Sequence, residues 1–142
     1  MKISARNVFE GKITALKEGP VNAEVELSTE GGDKIVAIIT ETSVKSLDLG
    51  IGKSVVAVVK APWVTVVAGT AAMRFSARNQ LSGKVDGMAK GAVNSNISVA
   101  LKGGSRVHAI ITNEAVAELG LSEGAEVSVL FKASHVILGV PA

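Results

Sequence analysis

The sequence predicts an all-β protein made of two tandem five-stranded Greek-key barrels, each with a short helix. Three observations support this prediction: a repeat at an offset of 72 residues, segments in which apolar and polar residues alternate, and a short helical pattern in each repeat. Hydrophobic residues form 47% of the 142 residues and charged residues 20%, which is enough apolar surface for a folded core. Each half is close to the lower size limit of a stable domain, so packing between halves or subunits is expected.

A gapless internal repeat divides the chain. Residues 4–7 (Ser-Ala-Arg-Asn) recur as residues 76–79, and residues 37–40 (Ala-Ile-Ile-Thr) recur as residues 109–112. Matches at one constant offset through both halves indicate a tandem duplication. Small uncharged residues between the copies predict a linker at about 69–72, with a first domain at 1–68 and a second at 73–142.

The elements of one repeat follow from its periodicity. Residues 21–27 alternate between apolar and polar, a turn signal follows, and residues 34–39 form a second strand, which predicts a β-hairpin. Residues 3–13 and 54–60 predict further strands, and with these four segments we expect a barrel of about five short strands per repeat.

A short helix interrupts the strands of each repeat. Residues 112–120 predict a helix with Thr112 as N-cap and Gly120 as its C-terminal stop, and residues 40–47 form the equivalent segment of the first copy. Five strands with an inserted helix are typical of an OB-like barrel, a fold that does not by itself determine function.

Composition argues against several classes of protein. No apolar stretch is long enough to span a membrane, and the N-terminal segment lacks the pattern of a signal peptide. With no cysteine in addition, we expect a cytoplasmic protein. The net charge of +2 is spread along the chain, which gives little support to nucleic-acid binding.

Enzymatic chemistry has few candidate residues. The two histidines, His108 and His135, have Val36 and Trp63 at the equivalent positions of the first copy. A site kept in both copies cannot depend on either histidine, so we expect neither a catalytic triad nor a metal site.

Polar residues shared by the two copies indicate a small anion as ligand. Hydroxyl, amide and cationic side chains are hydrogen-bond donors. If residues 3–13 form a strand, Ser4 and Arg6 emerge on one face, while Thr40 and Ser43 lie at a predicted helix start with unpaired backbone N–H groups. Lys60 ends a strand, and the small Ala61 would let a ligand approach its backbone. The shared pairs are Ser4/Ser76, Arg6/Arg78, Asn7/Asn79, Thr40/Thr112 and Lys60/Lys132.

A purely structural interpretation of these residues remains open at this point. The Ser-Ala-Arg-Asn segment could begin a strand with solvated side chains, Thr40 and Thr112 could only cap helices, and the two lysines could only extend over apolar surface into water.

Three short motifs together resemble the molbindin (Mop) family. They are the Ser-Ala-Arg-Asn opening of each copy, Gly-x-Val-Asn at residues 19–22 and 91–94, and Lys-Ala at the end of a strand. The resemblance covers essentially the whole chain as two Mop domains in tandem. It implies OB-like barrels, a homotrimer, and molybdate or tungstate bound at subunit interfaces.

The resemblance also implies site residues. Ala115 stands where the first copy has Ser43, so the second set of sites lacks one hydroxyl. The first set comprises Ser4, Ala5, Arg6, Lys60 and Ala61 facing Thr40 and Ser43 of a neighbouring subunit. The second set comprises Ser76, Ala77, Arg78, Lys132, Ala133 and Ser134 facing Thr112 and Ala115. Further sites near a threefold axis would use Val21, Asn22, Val93 and Asn94.

The sequence therefore predicts intracellular storage and homeostasis of molybdate or tungstate, without catalysis. One alternative is a single-stranded nucleic-acid-binding OB protein, although three Phe, one Trp and no Tyr leave few aromatic rings on which bases could stack. A second alternative is an oxyanion-sensing regulatory module acting through another chain. Binding of a pterin cofactor stays open.

Overall fold

The computed structural model describes residues 1–69 and 72–142. The first half forms β1 (Asn7–Glu18), β2 (Asn22–Thr29), β3 (Lys34–Thr40), α1 (Glu41–Ser46), β4 (Ser54–Val59) and β5 (Thr65–Ala68). The second half forms β6 (Asn79–Lys90), β7 (Asn94–Leu101), β8 (Arg106–Thr112), α2 (Asn113–Leu119), β9 (Glu126–Phe131) and β10 (Ile137–Gly139). A single 3₁₀ turn follows β4 at Ala61–Trp63 and another follows β9 at Ala133–His135.

The strands form two five-stranded antiparallel sheets, in the orders β10-β4-β1-β2-β3 and β5-β9-β6-β7-β8. The predicted hairpin is present as β2 and β3, with Val25 opposite Ala37. Alternation along β2 buries Ala23, Val25 and Leu27. The predicted all-β class, with two small barrels and one short helix in each, is confirmed.

The short helices begin at the predicted N-caps, and α2 ends at the predicted glycine. Thr112 caps α2 by accepting the Ala115 N–H, and Gly120 ends it at φ 62°, a left-handed conformation that glycine adopts without steric cost. Thr40 caps α1 by accepting the Ser43 N–H. No helix within residues 1–69 and 72–142 is long and apolar enough to cross a membrane.

The two halves exchange their last strands. After β4 and its 3₁₀ turn, β5 pairs with β9 of the second half, with Thr65 opposite Leu130. Correspondingly β10 pairs with β4 of the first half, with Ile137 opposite Val58. One continuous cluster of buried apolar side chains therefore contains residues of both halves.

The division of the chain into domains 1–68 and 73–142 stays a prediction about the sequence repeat. Within the described residues, each sheet takes one edge strand from across that division. Residues 70 and 71 of the predicted linker lie outside the described residues.

Candidate functional site

The segment before β1 lies beside the segment after β4. Asn7, the first residue of β1, is opposite Val59, the last residue of β4, so the segments that carry Arg6 and Lys60 leave the same end of this strand pair. In the second half Asn79 is opposite Phe131, which places the segments of Arg78 and Lys132 in the same way. Each half thus places an arginine-bearing segment and a lysine-bearing segment at one end of the same strand pair.

One part of the sequence-based geometry is wrong. The strand expected at residues 3–13 begins only at Asn7, and Ser4 and Arg6 lie in bends before it. The reason is that β4 ends at Val59, and the chain then turns into the 3₁₀ helix, which leaves no strand for residues 3–6 to pair with. Ser4 and Arg6 are exposed, but the alternation of a strand does not put them on one face.

The alanines of the donor set are not open to solvent. Ala61 and Ala133 are 1% and 3% exposed and begin the 3₁₀ turns, so their methyl groups pack in the core. Ser134 and the lysines before these alanines are exposed. Ala5 and Ala77 are partly buried. The small side chains of Ala61 and Ala133 therefore have a packing role as well as any effect on ligand access.

The other predicted donors gather at the start of each helix. Asn22 is opposite Thr40, and the Glu41 N–H donates to the Val21 carbonyl at 2.9 Å. The hydroxyls of Thr40 and Ser43 are 2.8 Å apart. In the second half Asn94 is opposite Thr112, the Asn113 N–H donates to the Val93 carbonyl, and the position of Ser43 is taken by Ala115.

The unpaired backbone N–H groups expected at the helix starts are largely engaged. The N–H of Ser43 donates to Thr40 Oγ1 at 3.1 Å, and that of Ala115 donates to Thr112 Oγ1 at 3.0 Å. Because the N–H groups of Glu41 and Asn113 are also bonded, the hydroxyls rather than these amides are the available donors.

Within one half, the two groups of donors are far apart. Arg6 precedes the first residue of β1, whereas Thr40 and Asn22 lie near its other end, where Glu18 pairs with Ala23. β1 has 12 residues, and a strand rises about 3.3 Å per residue. A site that uses both groups must therefore combine different halves or different chains.

The two halves bring an arginine of one donor group close to a helix-start residue of the other. Arg78 of the second half lines a groove of about 410 Å³ together with Asn22, Glu18 and Glu24 of the first half. The Arg78 guanidinium forms an ion pair with the Glu24 carboxylate. Glu24 was not among the predicted site residues, because a search for residues shared by both copies passes over it: the second copy has Asn96 there.

A pair of carboxyl groups flanks the helix start of the first half. The hydrogen bond with Glu18 raises the pKa of Glu41 above its ordinary value near 4.5, and desolvation and the charge of Glu18 raise it further, while Lys45 lowers it. Oε2 of Glu41 is buried and has no hydrogen-bond partner among the described residues. The second half has Lys90 and Asn113 at these positions.

Asn7 and Asn79, which also looked like anion donors, have a different role. Each is nearly fully buried and bonds to the backbone of a strand in the other half, Asn7 to His108 and Asn79 to Val36. Their amides are occupied within the fold, which explains why both copies keep them.

The histidines lie near the contact between the halves. His135 packs against Trp63, its equivalent in the first copy, with ring centroids 4.0 Å apart. No group of three or more His, Cys, Asp or Glu side chains that could hold a metal ion occurs in the part of the chain that the structure describes.

Both repeats match a known family. Residues 3–66 and residues 76–138 each match the TOBE domain. The chain is 39% identical over 140 residues to the molybdenum transport protein ModE of Herbaspirillum seropedicae, covering 99% of this chain and 52% of that protein. It is 40% identical over 141 residues to the molybdenum-pterin-binding protein MopA of Rhodobacter capsulatus, covering 99% and 53%. The chain therefore spans about half the length of these curated relatives.

A solved structure is similar along nearly the whole chain. The cytoplasmic molybdate-binding protein ModG, in a crystal form with molybdate bound, is 56% identical and superposes with a TM-score of 0.94, over 99% of this chain and 100% of that chain. The TM-score over nearly the whole of both chains shows that the two proteins share one fold.

Proposed function

The chain belongs to the TOBE-domain family, with two copies in tandem, and from this premise we propose that it binds molybdate or tungstate in the cytoplasm and stores it. The observation that best supports the proposal is that, in each half, the arginine segment and the lysine segment lie at the same end of one strand pair, β1 with β4 and β6 with β9. The molybdate bound to the similar ModG protein supports molybdate in particular as the ligand.

The donors suit this class of ligand. Molybdate and tungstate are tetrahedral dianions that offer only hydrogen-bond acceptors, so hydroxyls and cations satisfy them without any covalent step. We assign the first set of contacts to Ser4, Arg6, Lys60, Thr40 and Ser43 and the second to Ser76, Arg78, Lys132, Ser134 and Thr112. Backbone groups at Ala5, Ala61, Ala77 and Ala133, and at the turns of Asn22 and Asn94, complete the proposed sites, and Ala115 lines the second set while its N–H stays bonded to Thr112.

Several chains are needed to build these sites. Arg6 and Thr40 lie toward opposite ends of β1, so a dianion that contacts both must lie between subunits. The single chain also leaves apolar side chains exposed, with Val21 and Val93 each at 70%. The trimer that we propose would cover these two valines, which lie at the turns assigned to the threefold axis. We propose a homotrimer with the dianions at its interfaces.

Storage fits the chain better than the other functions considered. Catalysis would need a nucleophile, acid or metal at the site, and the proposed contacts are donors only. Single-stranded nucleic-acid binding would need a row of stacking aromatics, and the sequence has only three Phe, one Trp and no Tyr.

Equilibrium dialysis against molybdate, with sulfate as competitor, tests the proposal. We expect retention of molybdate at micromolar concentration, and reduced stoichiometry in both Arg6→Ala and Arg78→Ala with circular dichroism unchanged. Native mass spectrometry should show three chains with bound oxyanion. A chain that retains no molybdate or tungstate would refute the function, and a strictly monomeric chain that still binds would refute the interfacial sites.

A further inference from the structure

We propose that Glu24 acts as an internal competitor for the anion at the Arg78 site, so that the two sets of sites differ in affinity. This inference rests on the proposed function and adds a residue that determines affinity. The carboxylate of Glu24 takes the guanidinium of Arg78 when no oxyanion is bound, and an incoming dianion must displace it.

The contact joins the two halves. Glu24 lies on β2, and Arg78 reaches it from the segment before β6, next to Asn79, whose amide is bonded to Val36 on β3. The buried Asn79 fixes the position of the backbone from which Arg78 extends. The side chains of Glu24 and Arg78 are 28% and 54% exposed, so solvent and salt reach the pair and it can open.

The equivalent position of the other half has no carboxylate. Asn7 bonds to His108 as Asn79 bonds to Val36, and Asn96 stands in the second copy where Glu24 stands in the first. Asn96 is therefore the neutral equivalent of Glu24, and its Oδ1 has no hydrogen-bond partner among the described residues. Among residues 1–69 and 72–142, Arg6 forms no ion pair.

The difference between the halves has a direct effect on binding. A guanidinium held by Glu24 binds a dianion only in the fraction of molecules in which it is released, and the apparent dissociation constant rises by that factor. A half-exposed pair reduces the competent fraction about two- to five-fold. Sites built with Arg6 should therefore fill before sites built with Arg78.

Isothermal titration calorimetry with molybdate on the full chain tests this. Glu24→Gln in the Arg6→Ala background, where the Arg78 sites dominate, should tighten molybdate binding about two- to five-fold. The same substitution in the Arg78→Ala background should leave the remaining sites unchanged. The reciprocal Asn96→Glu, with Asn96→Gln as its size control, should weaken the Arg6 sites, and circular dichroism should confirm that every variant is folded.

The outcomes separate the two proposals. Equal or weaker binding in Glu24→Gln would mean that the carboxylate positions Arg78 for the ligand, and would overturn the inference while molybdate binding stands. An equal gain in both arginine backgrounds would overturn it as well, because a general charge effect needs no contact with Arg78. A wild-type chain that binds no molybdate would instead overturn the proposed function.

Discussion

Asp33 and Gly103 join the hairpin turns of the two halves: Asp33 Oδ1 accepts the Gly103 N–H at 2.9 Å, and Oδ2 accepts the Ser105 N–H at 3.1 Å. Asp33 is 9% exposed. A Cβ on Gly103 would lie 2.6 Å from this carboxylate, so a larger residue there would have to displace the Asp33 side chain. The second copy has Ser105 at the position of Asp33, so no equivalent carboxylate of the second half binds the turn of the first half.

Replacing Asp33 by alanine should destabilise the chain by about 2–3 kcal/mol, because two N–H groups lose a charged acceptor. Asp33→Asn keeps one acceptor and should lose less. Urea unfolding followed by circular dichroism measures both, with Glu30→Ala in the same turn region as the exposed control. Equal stability of Asp33→Ala and the control would contradict the role of this contact.

Asn7 and Asn79 should be as important to stability as Asp33. The amide of Asn7 donates to the His108 carbonyl at 2.8 Å and accepts its N–H at 2.6 Å, and β8 is an edge strand whose outer groups have no other strand to pair with. Asn7→Ala or Asn79→Ala should lower the free energy of unfolding by about 2–4 kcal/mol, since two backbone groups are left unpaired. The exposed Asn94→Ala is the matched control, and a similar small effect at all three positions would refute this assignment.

Features set by local sequence could be predicted, and features set by contacts between the halves could not. The β2–β3 hairpin and the cap and stop of α2 depend on neighbouring residues, and the structure has them as expected. The roles of Asn7 and Asn79 depend on strands more than 40 residues away, |i−j| being 101 and 43. At the level of sequence, an amide bound to backbone and an amide bound to an anion look alike.

The candidate site divides in the same way. A filter for residues present in both copies found Arg6, Lys60 and Thr40, and the register puts Arg6 and Lys60 at one end of β1 and Thr40 near the other. Such a filter misses every residue at which the two copies differ. Glu24 and the Glu18–Glu41 pair are of this type, since the second copy has Asn96, Lys90 and Asn113.

Separating the halves should expose the exchanged strands. A fragment of residues 73–142 lacks β5, which pairs with β9, and leaves β10 without β4. Because the halves are repeats, two copies of the fragment can give β10 to each other, as domain-swapped proteins do. Light scattering after size exclusion should find assemblies of at least two chains, and deletion of β10 should abolish them. A folded, stable monomer would show that the exchange is dispensable.

The carboxyl pair at α1 should make stability depend on pH. The pKa of Glu41 is raised in the folded chain, so the folded chain holds this proton more tightly than the unfolded chain does. Its contribution to stability is present at acid pH and declines as the pH rises from about 4.5 through the raised folded value. Thermal unfolding measured from about pH 4 to about pH 7, in steps of about one pH unit, checks this. Glu41→Gln should remove this part of the pH dependence of the melting temperature, whereas Glu30→Gln should keep it. Parallel curves for the wild type and Glu41→Gln would contradict the shift.

One added hydroxyl at residue 115 should reduce the difference in molybdate affinity between the two sets of sites. Ser43 Oγ lies 2.8 Å from Thr40 Oγ1, whereas Ala115 gives Thr112 no such neighbour. Ala115→Ser restores the pair in the second half and should strengthen molybdate binding there by about 1 kcal/mol, roughly five-fold. Ser43→Ala should weaken the first set by a similar factor. Isothermal titration calorimetry measures the molybdate affinity of both variants. If residues 43 and 115 only take part in the helix caps, both affinities should stay unchanged. Thr40 and Thr112 accept the N–H groups of residues 43 and 115 whichever side chain stands there.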